Sequence, residues 1–262
     1  MGSAGVGELV RDWRTRRRRS QMDLAYEVGV SPRHLSFVET GRSRPSPELV
    51  LALADRLGVP LRERNTLLLA AGYAPHYSQR PLDAPEMRTV HASVQRMLDA
   101  HVPYPGVVID RQWNVVLANG AAFALIDGLP AEVVGPPLNV YRVCLHPDGL
   151  AARTLNFAEW ADYLLRQLRR TIVLTADPEL EQLLAELSAY PNIAALQSAP
   201  TGASWDEPPL LIPLRIAFGD DELSLFTTLT TFGTPRDVTL DEIAVELFFP
   251  ADDRSDALLR SL

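Results

Sequence analysis

The chain has 262 residues, of which 47% are hydrophobic and 22% are charged, and its formal net charge is -8. This length suggests one large domain or two ordinary ones. No apolar run approaches the roughly 18 residues that cross a bilayer, and the arginine-rich start lacks the pattern of an export signal. A single cysteine, Cys144, excludes an internal disulfide framework and favours a reducing compartment. We therefore expect a cytoplasmic protein without a membrane partner.

Charge is unevenly divided along the chain. Residues 1–74 contain 12 arginines and 8 acidic residues, which gives a net charge of +4. The remaining residues contain 13 arginines and 25 acidic residues, which gives a net charge of -12. A basic first part joined to an acidic remainder is typical of a nucleic-acid-binding unit followed by a unit with another task.

Apolar residues recur at helical spacing in five segments within the first 72 residues. A serine or proline precedes most of these segments and a glycine follows most of them, which are the signals for helix starts and stops. The tight turn Gly29-Val30 joins the second segment to the third and indicates a helix-turn-helix. The predicted caps are Ser20, Ser31 and Ser46, and the predicted stops are Gly29, Gly41, Gly58 and Gly72.

The third predicted helix has two distinct faces. If Leu35 and Val38 are buried, Arg33 and Phe37 face outward. An arginine can donate two hydrogen bonds to guanine O6 and N7, and a phenylalanine can contact a thymine methyl group. Two alternatives stay open: Arg33 is only a solvated charge, or a slight rotation of the helix buries Phe37. The predicted outward face consists of Pro32, Arg33, Ser36 and Phe37.

The stretch SQMDLAYEVGVSPRHLSFVETGRSRPS resembles the phage-repressor (XRE) class of helix-turn-helix domains, and the similarity covers residues 6–72. The resemblance implies that the partner is a double-stranded DNA operator. It places the residues that match Arg33 and Phe37 at bases, and those that match Gln21, Thr40 and Arg42 near phosphates, where contacts position the protein. Arg14 and Arg44 are added as further phosphate contacts. The complete predicted DNA-binding set is Arg14, Gln21, Ser31, Pro32, Arg33, Ser36, Phe37, Thr40, Arg42 and Arg44.

The rest of the chain predicts a second domain after a proline-containing linker at 75–86. Strand patterns at 107–109 and 113–117 precede a helical middle region, and alternation returns at 210–218, 223–232 and 243–249. This order predicts an α+β domain in which helices cover one face of a small antiparallel sheet, beginning as PAS-type sensor domains do. The predicted domains are a helix-turn-helix domain at 1–74, the linker, a PAS-like domain at 87–250, and an acidic, solvated C-terminal tail at 251–262.

Two stretches, NFAEWADYLLRQLRR and LSLFTTLTTFGTPRDVTLDEIAVELFFPADD, resemble the ligand-binding domain of MmyB-type transcription regulators. That family joins an XRE-class helix-turn-helix to a PAS-like half, and the resemblance implies a bacterial regulator that holds an apolar, fatty-acid-like molecule. Side chains on the strands and on the covering helix are the candidate contacts, although core packing explains any one of them as well. The predicted ligand-binding residues are His146, Trp160, Leu164, Ile212, Leu214, Phe226, Thr228, Leu229 and Phe232.

Catalysis is the less favoured function. Cys144, His146 and Asp148 lie within five residues, but a nucleophile needs an oriented base and zinc needs a recognised ligand spacing. We expect no enzyme, no metal and no cofactor beyond a bound fatty acid or similar molecule. We expect a homodimer, because paired bundles read half-sites about one helical turn apart. A DNA-binding protein whose second domain only dimerises, without a ligand, stays open as the alternative.

Overall fold

The computed structural model describes residues 5–198 and 210–261. The chain divides into two compact units. The first unit contains Met1–Arg80 and Gly233–Asp241, and the second contains Pro81–Phe232 and Glu242–Leu262. The first unit therefore includes a segment from far along the chain, inside the region for which the sequence predicts the PAS-like domain.

Five helices form the first unit's bundle, and they match the five predicted segments. The side chains of Ser20, Ser31 and Ser46 each accept the backbone N–H three residues on, as their sequence positions predict. The four glycines predicted as stops all have a positive φ, which glycine adopts without a steric cost. The helices are α1 (Val6–Arg16), α2 (Gln21–Glu27), α3 (Pro32–Glu39), α4 (Pro47–Arg56) and α5 (Leu61–Ala70).

One glycine allows α1 to approach α3 closely. A Cβ atom added at Gly7 would lie 2.2 Å from the carbonyl oxygen of Val38 and 2.9 Å from that of Glu39. Both obstacles are backbone atoms of a packed helix, so neither can move aside cheaply. The absence of a side chain at Gly7 is therefore required for the position of α3.

Part of the predicted linker packs on this bundle. The side chain of Asn65 accepts the backbone N–H groups of His76 and Tyr77 at 2.9 and 3.0 Å, and it donates to the Tyr77 carbonyl at 2.8 Å. Hydrogen bonds to backbone groups do not require apolar residues at a regular spacing in the sequence. The sequence therefore predicts that this stretch is not a helix, but it does not predict that the stretch packs on the bundle.

The second unit is built on one antiparallel sheet of five strands in the order β2-β1-β5-β4-β3. This architecture confirms the predicted α+β class. The strands are β1 (Gly106–Ile109), β2 (Val115–Ala118), β3 (Leu214–Phe218), β4 (Asp221–Thr231) and β5 (Ala244–Pro250). The described helices of the second unit are α6 (Arg88–His101), α7 (Gly120–Leu125), α8 (Ala131–Val134), α9 (Val140–Leu145), α10 (Phe157–Thr175), α11 (Pro178–Ser188), α12 (Pro191–Ser198) and α14 (Asp253–Ser261). Helix α13 (Val238–Glu242) lies almost wholly in the first unit.

The helices cover more of the sheet than the sequence predicts. Every residue of β1 is buried, so both faces of this strand are covered, and Leu98 of α6 lies beside Gly106 on one of them. The prediction that only one face is covered is wrong. The hydrophobic β1 sequence is typical of a strand enclosed on both sides.

The end of the chain also differs from its prediction. Residues 253–261 form α14, in which Ser255 and Leu259 are buried. The Ser255 hydroxyl accepts the backbone N–H of Ser224 in β4 at 2.9 Å. The prediction of a solvated acidic tail is therefore wrong, because a few inward-facing residues anchor a helix that also carries the charged Asp253, Arg254, Asp256 and Arg260.

Candidate DNA interface and ligand cavities

Helix α3 turns an aromatic and cationic face outward. Leu35 and Val38 are completely buried, whereas Arg33 is exposed and Phe37 is half-buried. The guanidinium carbons of Arg33 and Arg42 lie 5.3 and 5.9 Å from the centre of the Phe37 ring, within the range of cation–π attraction. Among the described residues neither arginine has a carboxylate partner. One ring flanked by two uncompensated positive charges therefore faces away from the bundle core.

A buried carboxylate fixes the orientation of α3. The Glu39 side chain is only 3% exposed and accepts hydrogen bonds from Arg14 Nε at 2.7 Å, Arg14 Nη2 at 2.9 Å and Gln21 Nε2 at 2.9 Å. The hydrogen bond with Glu39 raises the pKa of Arg14. A bidentate arginine–carboxylate ion pair is strong and directional. The hydrogen bonds to Glu39 therefore hold α3 against α1 and α2.

Two of the predicted phosphate contacts, Arg14 and Arg44, also have partners inside the bundle. Besides Glu39, Arg14 donates from Nη1 to the Arg19 carbonyl at 3.0 Å. Arg44 donates to the carbonyls of Ala71 and Gly72 at 2.8 and 3.1 Å, where it satisfies the last carbonyls of α5. These contacts hold both guanidinium groups against the bundle, and the assignment of Arg14 and Arg44 as phosphate contacts stays a prediction.

The other predicted DNA contacts lie around α3. Ser31 caps the helix by accepting the His34 N–H at 3.1 Å, and Pro32 is its first residue. Thr40 is exposed and donates to the Ser36 carbonyl at 2.8 Å. The side-chain amide of Gln21 has two hydrogens, and one of them is donated to Glu39. These residues border the Arg33–Phe37–Arg42 face, and their contacts with DNA stay predictions.

Two cavities are formed by described residues of the second unit. The smaller has a volume of about 70 Å³ and almost wholly apolar walls. The larger has a volume of about 230 Å³ and includes hydroxyl and indole groups in its walls. Residues lining the smaller cavity include Val107, Leu125, Val143, Cys144, Leu150, Leu214 and Phe248, and those lining the larger are Trp160, Tyr163, Leu210, Leu211, Ile212, Phe226 and Thr227.

Four of the nine predicted ligand residues line these cavities: Trp160, Ile212 and Phe226 the larger one, and Leu214 the smaller one. The others lie elsewhere. Leu164 is in the packed core, and the His146 ring packs edge-on against Tyr190 at 5.1 Å. Near the end of β4, Thr228 is exposed and Leu229 is 44% exposed, while Phe232 is half-buried just beyond the strand. Alternation alone does not show where a strand leaves the core.

Sequence reasoning missed the polar residues beside the cavities. Glu246, in the middle of β5, is buried, and its burial raises the pKa of its carboxyl to about 7, although the Thr227 hydroxyl counteracts this rise. Burial raises the pKa of the Cys144 thiol to about 12, so this cysteine is not a reactive thiolate. The available signal was the alternation in AVELFFP, which places Glu246 on the same side as the apolar Ala244 and Phe248.

Comparison with known proteins identifies the family. Residues 90–262 match the family described as MmyB-like transcription regulator ligand binding domain, and residues 6–67 match a helix-turn-helix domain family. The chain belongs to the MmyB-like transcription regulators. It is a DNA-binding transcriptional regulator with a ligand-binding domain, and the family is one of regulators rather than of enzymes.

Full-length relatives agree with this MmyB-like assignment. Uncharacterized HTH-type transcriptional regulators of Mycobacterium bovis and Mycobacterium tuberculosis are 26% identical over 238 residues, which is 85% of this chain and 86% of theirs. A solved structure of an RNA-binding light-oxygen-voltage receptor aligns with 97% of this chain and 63% of its own. With 14% identity and a TM-score of 0.29, it supports no argument.

Two features are absent from the part of the chain that the structure describes. No group of three or more histidine, cysteine, aspartate or glutamate side chains is arranged to hold a metal ion. No described helix combines the length and the apolar character needed to span a membrane.

Proposed function

We propose that this regulator is a sequence-specific, homodimeric DNA-binding protein of the XRE class whose second unit senses a small apolar, fatty-acid-like ligand. The observation that carries the ligand proposal is the cavity with almost wholly apolar walls inside the second unit. Binding sites for small molecules are concave and mostly apolar, with a few placed polar groups. This cavity has a volume of about 70 Å³ and the larger one about 230 Å³. Both are below the usual range of about 300–1,000 Å³, which favours a small ligand.

The Arg33–Phe37–Arg42 face supports the DNA-reading part of the proposal. Arg33 donates to a guanine edge and Phe37 packs against a thymine methyl group, while Arg42 contacts a neighbouring phosphate. The second amide hydrogen of Gln21 donates to a DNA phosphate, and Thr40 does so when its hydroxyl hydrogen leaves the Ser36 carbonyl. Two copies read half-sites about one helical turn apart, so the spacing of the two bundles controls affinity.

The connection between β4 and β5 offers a route from ligand to DNA. Asp241 accepts the backbone N–H of Leu61 at 3.0 Å, where α5 begins after Pro60 and has no side-chain cap of its own. Val238 donates its N–H to the Ser78 carbonyl at 2.8 Å, and Asp237 accepts from Arg80 Nη1 at 3.1 Å. Because β5 starts at Ala244, a shift of β5 acts directly on the segment that caps a helix of the DNA-binding bundle.

The test is to strip the purified full-length protein and follow its DNA affinity. An operator is first selected from random DNA, and organic extraction with mass spectrometry then identifies any co-purifying apolar molecule. We expect extraction to change operator affinity by about 5–150-fold, the usual range of allosteric coupling, and the returned extract to restore it. If no molecule is extracted and the affinity is unchanged, the second unit only dimerises.

A further inference from the structure

Phe37 lies between two arginine side chains on the outward face of α3. Arg33 is four residues before it, and its guanidinium carbon lies 5.3 Å from the centre of the Phe37 ring. Arg42 follows the end of the helix, and its guanidinium carbon lies 5.9 Å from the same point. The ring is half-buried, so part of it is accessible beside the two cations. An apolar group is therefore presented together with two cationic hydrogen-bond donors.

The backbone holds this arrangement in the absence of DNA. At the end of α3 the Phe37 carbonyl accepts the N–H of Arg42 at 2.8 Å, and the Val38 carbonyl accepts the N–H of Gly41 at 3.1 Å. With Gly41 at a φ of 71°, these two bonds form the Schellman motif that ends a helix. The helix stop itself therefore places Arg42 beside Phe37, while Arg33 lies about one helical turn away on the same face.

The spacing between the ring and the Arg33 guanidinium matches neighbouring base pairs. Successive base pairs are stacked about 3.4 Å apart along the duplex. The separation of 5.3 Å between the guanidinium carbon and the ring centre is more than one such step and less than two. When Arg33 donates to O6 and N7 of a guanine, the ring is therefore within contact range of the base pair directly beside that guanine.

A phenylalanine ring can recognise only the apolar part of a base edge. It has no hydrogen-bonding atom, so it does not distinguish the O4 acceptor of thymine from the N4 donor of cytosine. The Ser36 hydroxyl on the same face can donate or accept, so it does not make this distinction either. The feature that remains is the methyl group on C5 of the pyrimidine. Thymine carries this group, and so does a cytosine that is methylated at C5.

We propose that α3 recognises a pyrimidine C5 methyl group on the base pair next to a guanine, so that 5-methylcytosine is accepted in place of thymine. Arg33 donates to the guanine, and Phe37 packs against the methyl group. The affinity of the regulator therefore depends on the methylation state of cytosine at this position. The inference rests on the proposed function, which assigns Arg33 to guanine and Phe37 to thymine. It adds that the two base pairs are adjacent and that methylated cytosine replaces thymine.

The experiment measures binding of the full-length protein to four duplexes. An operator is selected from random DNA, and the pyrimidine beside its recurrent guanine is made thymine, uracil, cytosine or 5-methylcytosine, each opposite its usual partner. Thymine and uracil differ by one methyl group only, as do 5-methylcytosine and cytosine. In fluorescence anisotropy titrations the methylated member of each pair should bind about fourfold more tightly, which is the effect of burying one such group.

Two variants assign this preference to the ring. Phe37→Ala should bind both members of each pair equally, while the guanine stays preferred because Arg33 is unchanged. Arg42→Ala is the matched control, and it should weaken all four duplexes by the same factor and keep the preference for the methyl group. The two comparisons are made first on the unmodified protein, so they decide the proposal even if Phe37→Ala fails to fold.

Equal binding within both pairs by the unmodified protein would overturn the inference, and the ring would then serve only to hold the two arginines. Sequence-specific binding would still stand. A selected operator without a methylated pyrimidine beside the guanine would overturn the inference as well, and so would a methyl preference that survives in Phe37→Ala. If selection returns no preferred sequence, both the inference and the base-reading part of the proposed function are wrong.

Discussion

Substitution of Glu246 by glutamine should change how the stability of the second unit depends on pH. Burial raises the pKa of this carboxyl from 4.5 to about 7 in the folded chain. Between these values the folded state holds a proton that the unfolded state has lost, so the free energy of unfolding decreases as the pH rises. The carboxyl's contribution is fully present below pH 4.5 and is lost as the pH rises through about 7. The loss is on the order of 3 kcal/mol, at about 1.4 kcal/mol for each unit of pKa.

Urea unfolding of the unmodified protein and of Glu246→Gln at a series of pH values from 5 to 8 measures this loss. Every other titratable group is present in both proteins, so the difference between the two unfolding free energies isolates Glu246. That difference should shift by about 2–3 kcal/mol in favour of the variant between pH 5 and pH 8. A difference that stays constant over this range would refute the buried, proton-binding carboxyl.

Glu222 provides the control for this measurement. Its hydrogen bond with Arg215 lowers the pKa of the Glu222 carboxyl, so this group is ionised in both the folded and the unfolded states between pH 5 and pH 8. The stability that it contributes is present above its unfolded pKa and is lost only as the pH falls through its lower folded pKa. Glu222→Gln should therefore leave the pH profile over this range parallel to that of the unmodified protein.

The remaining predictions concern the DNA-binding bundle. Arg33→Ala should weaken operator binding by about 1–3 kcal/mol and relax the preference at one base pair; selection from random DNA checks this, and equal weakening on all sequences would exclude a base-reading role. Arg42→Ala should weaken all sites similarly and lower the salt slope of log K by about 0.9, so an unchanged slope would exclude a phosphate contact. Gly7→Ala should lower the free energy of unfolding by about 1–3 kcal/mol, because the added methyl group would clash with the Val38 carbonyl. Gly5→Ala is the control and should have a much smaller effect, because no atom lies within 4 Å of the added methyl group. Thermal unfolding measures both changes.

The local features of the bundle were predictable from the sequence. Caps such as Ser31 and the inward positions Leu35 and Val38 depend on residues within one or two helical turns. Their burial in turn directs Arg33 and Phe37 outward. The partners of Arg14 and Arg44 were not predictable in this way, because Glu39 and the end of α5 lie more than 20 residues away in the sequence.

The ligand site was predictable only in part. Alternation identified the strands that hold Leu214, Phe226 and Glu246, but it did not show which strand positions remain under the helices. Tyr141, Trp160 and Glu246 are buried residues of α9, α10 and β5, and no local sequence pattern relates them. The cap of α5 is a hydrogen bond from the Leu61 N–H to the Asp241 carboxylate, 180 residues further along the chain. Hydrophobic periodicity does not reveal such a contact.

The central claim is that ligand binding in the second unit and operator binding by the first are energetically coupled. The most direct test is a reciprocal pair of titrations on the stripped protein, with 1-decanol as the apolar probe: operator affinity with and without saturating 1-decanol, and 1-decanol affinity with and without saturating operator. The account predicts that each molecule changes the affinity of the other by the same factor, of about fivefold or more. Two affinities that are each independent of the other molecule would contradict it.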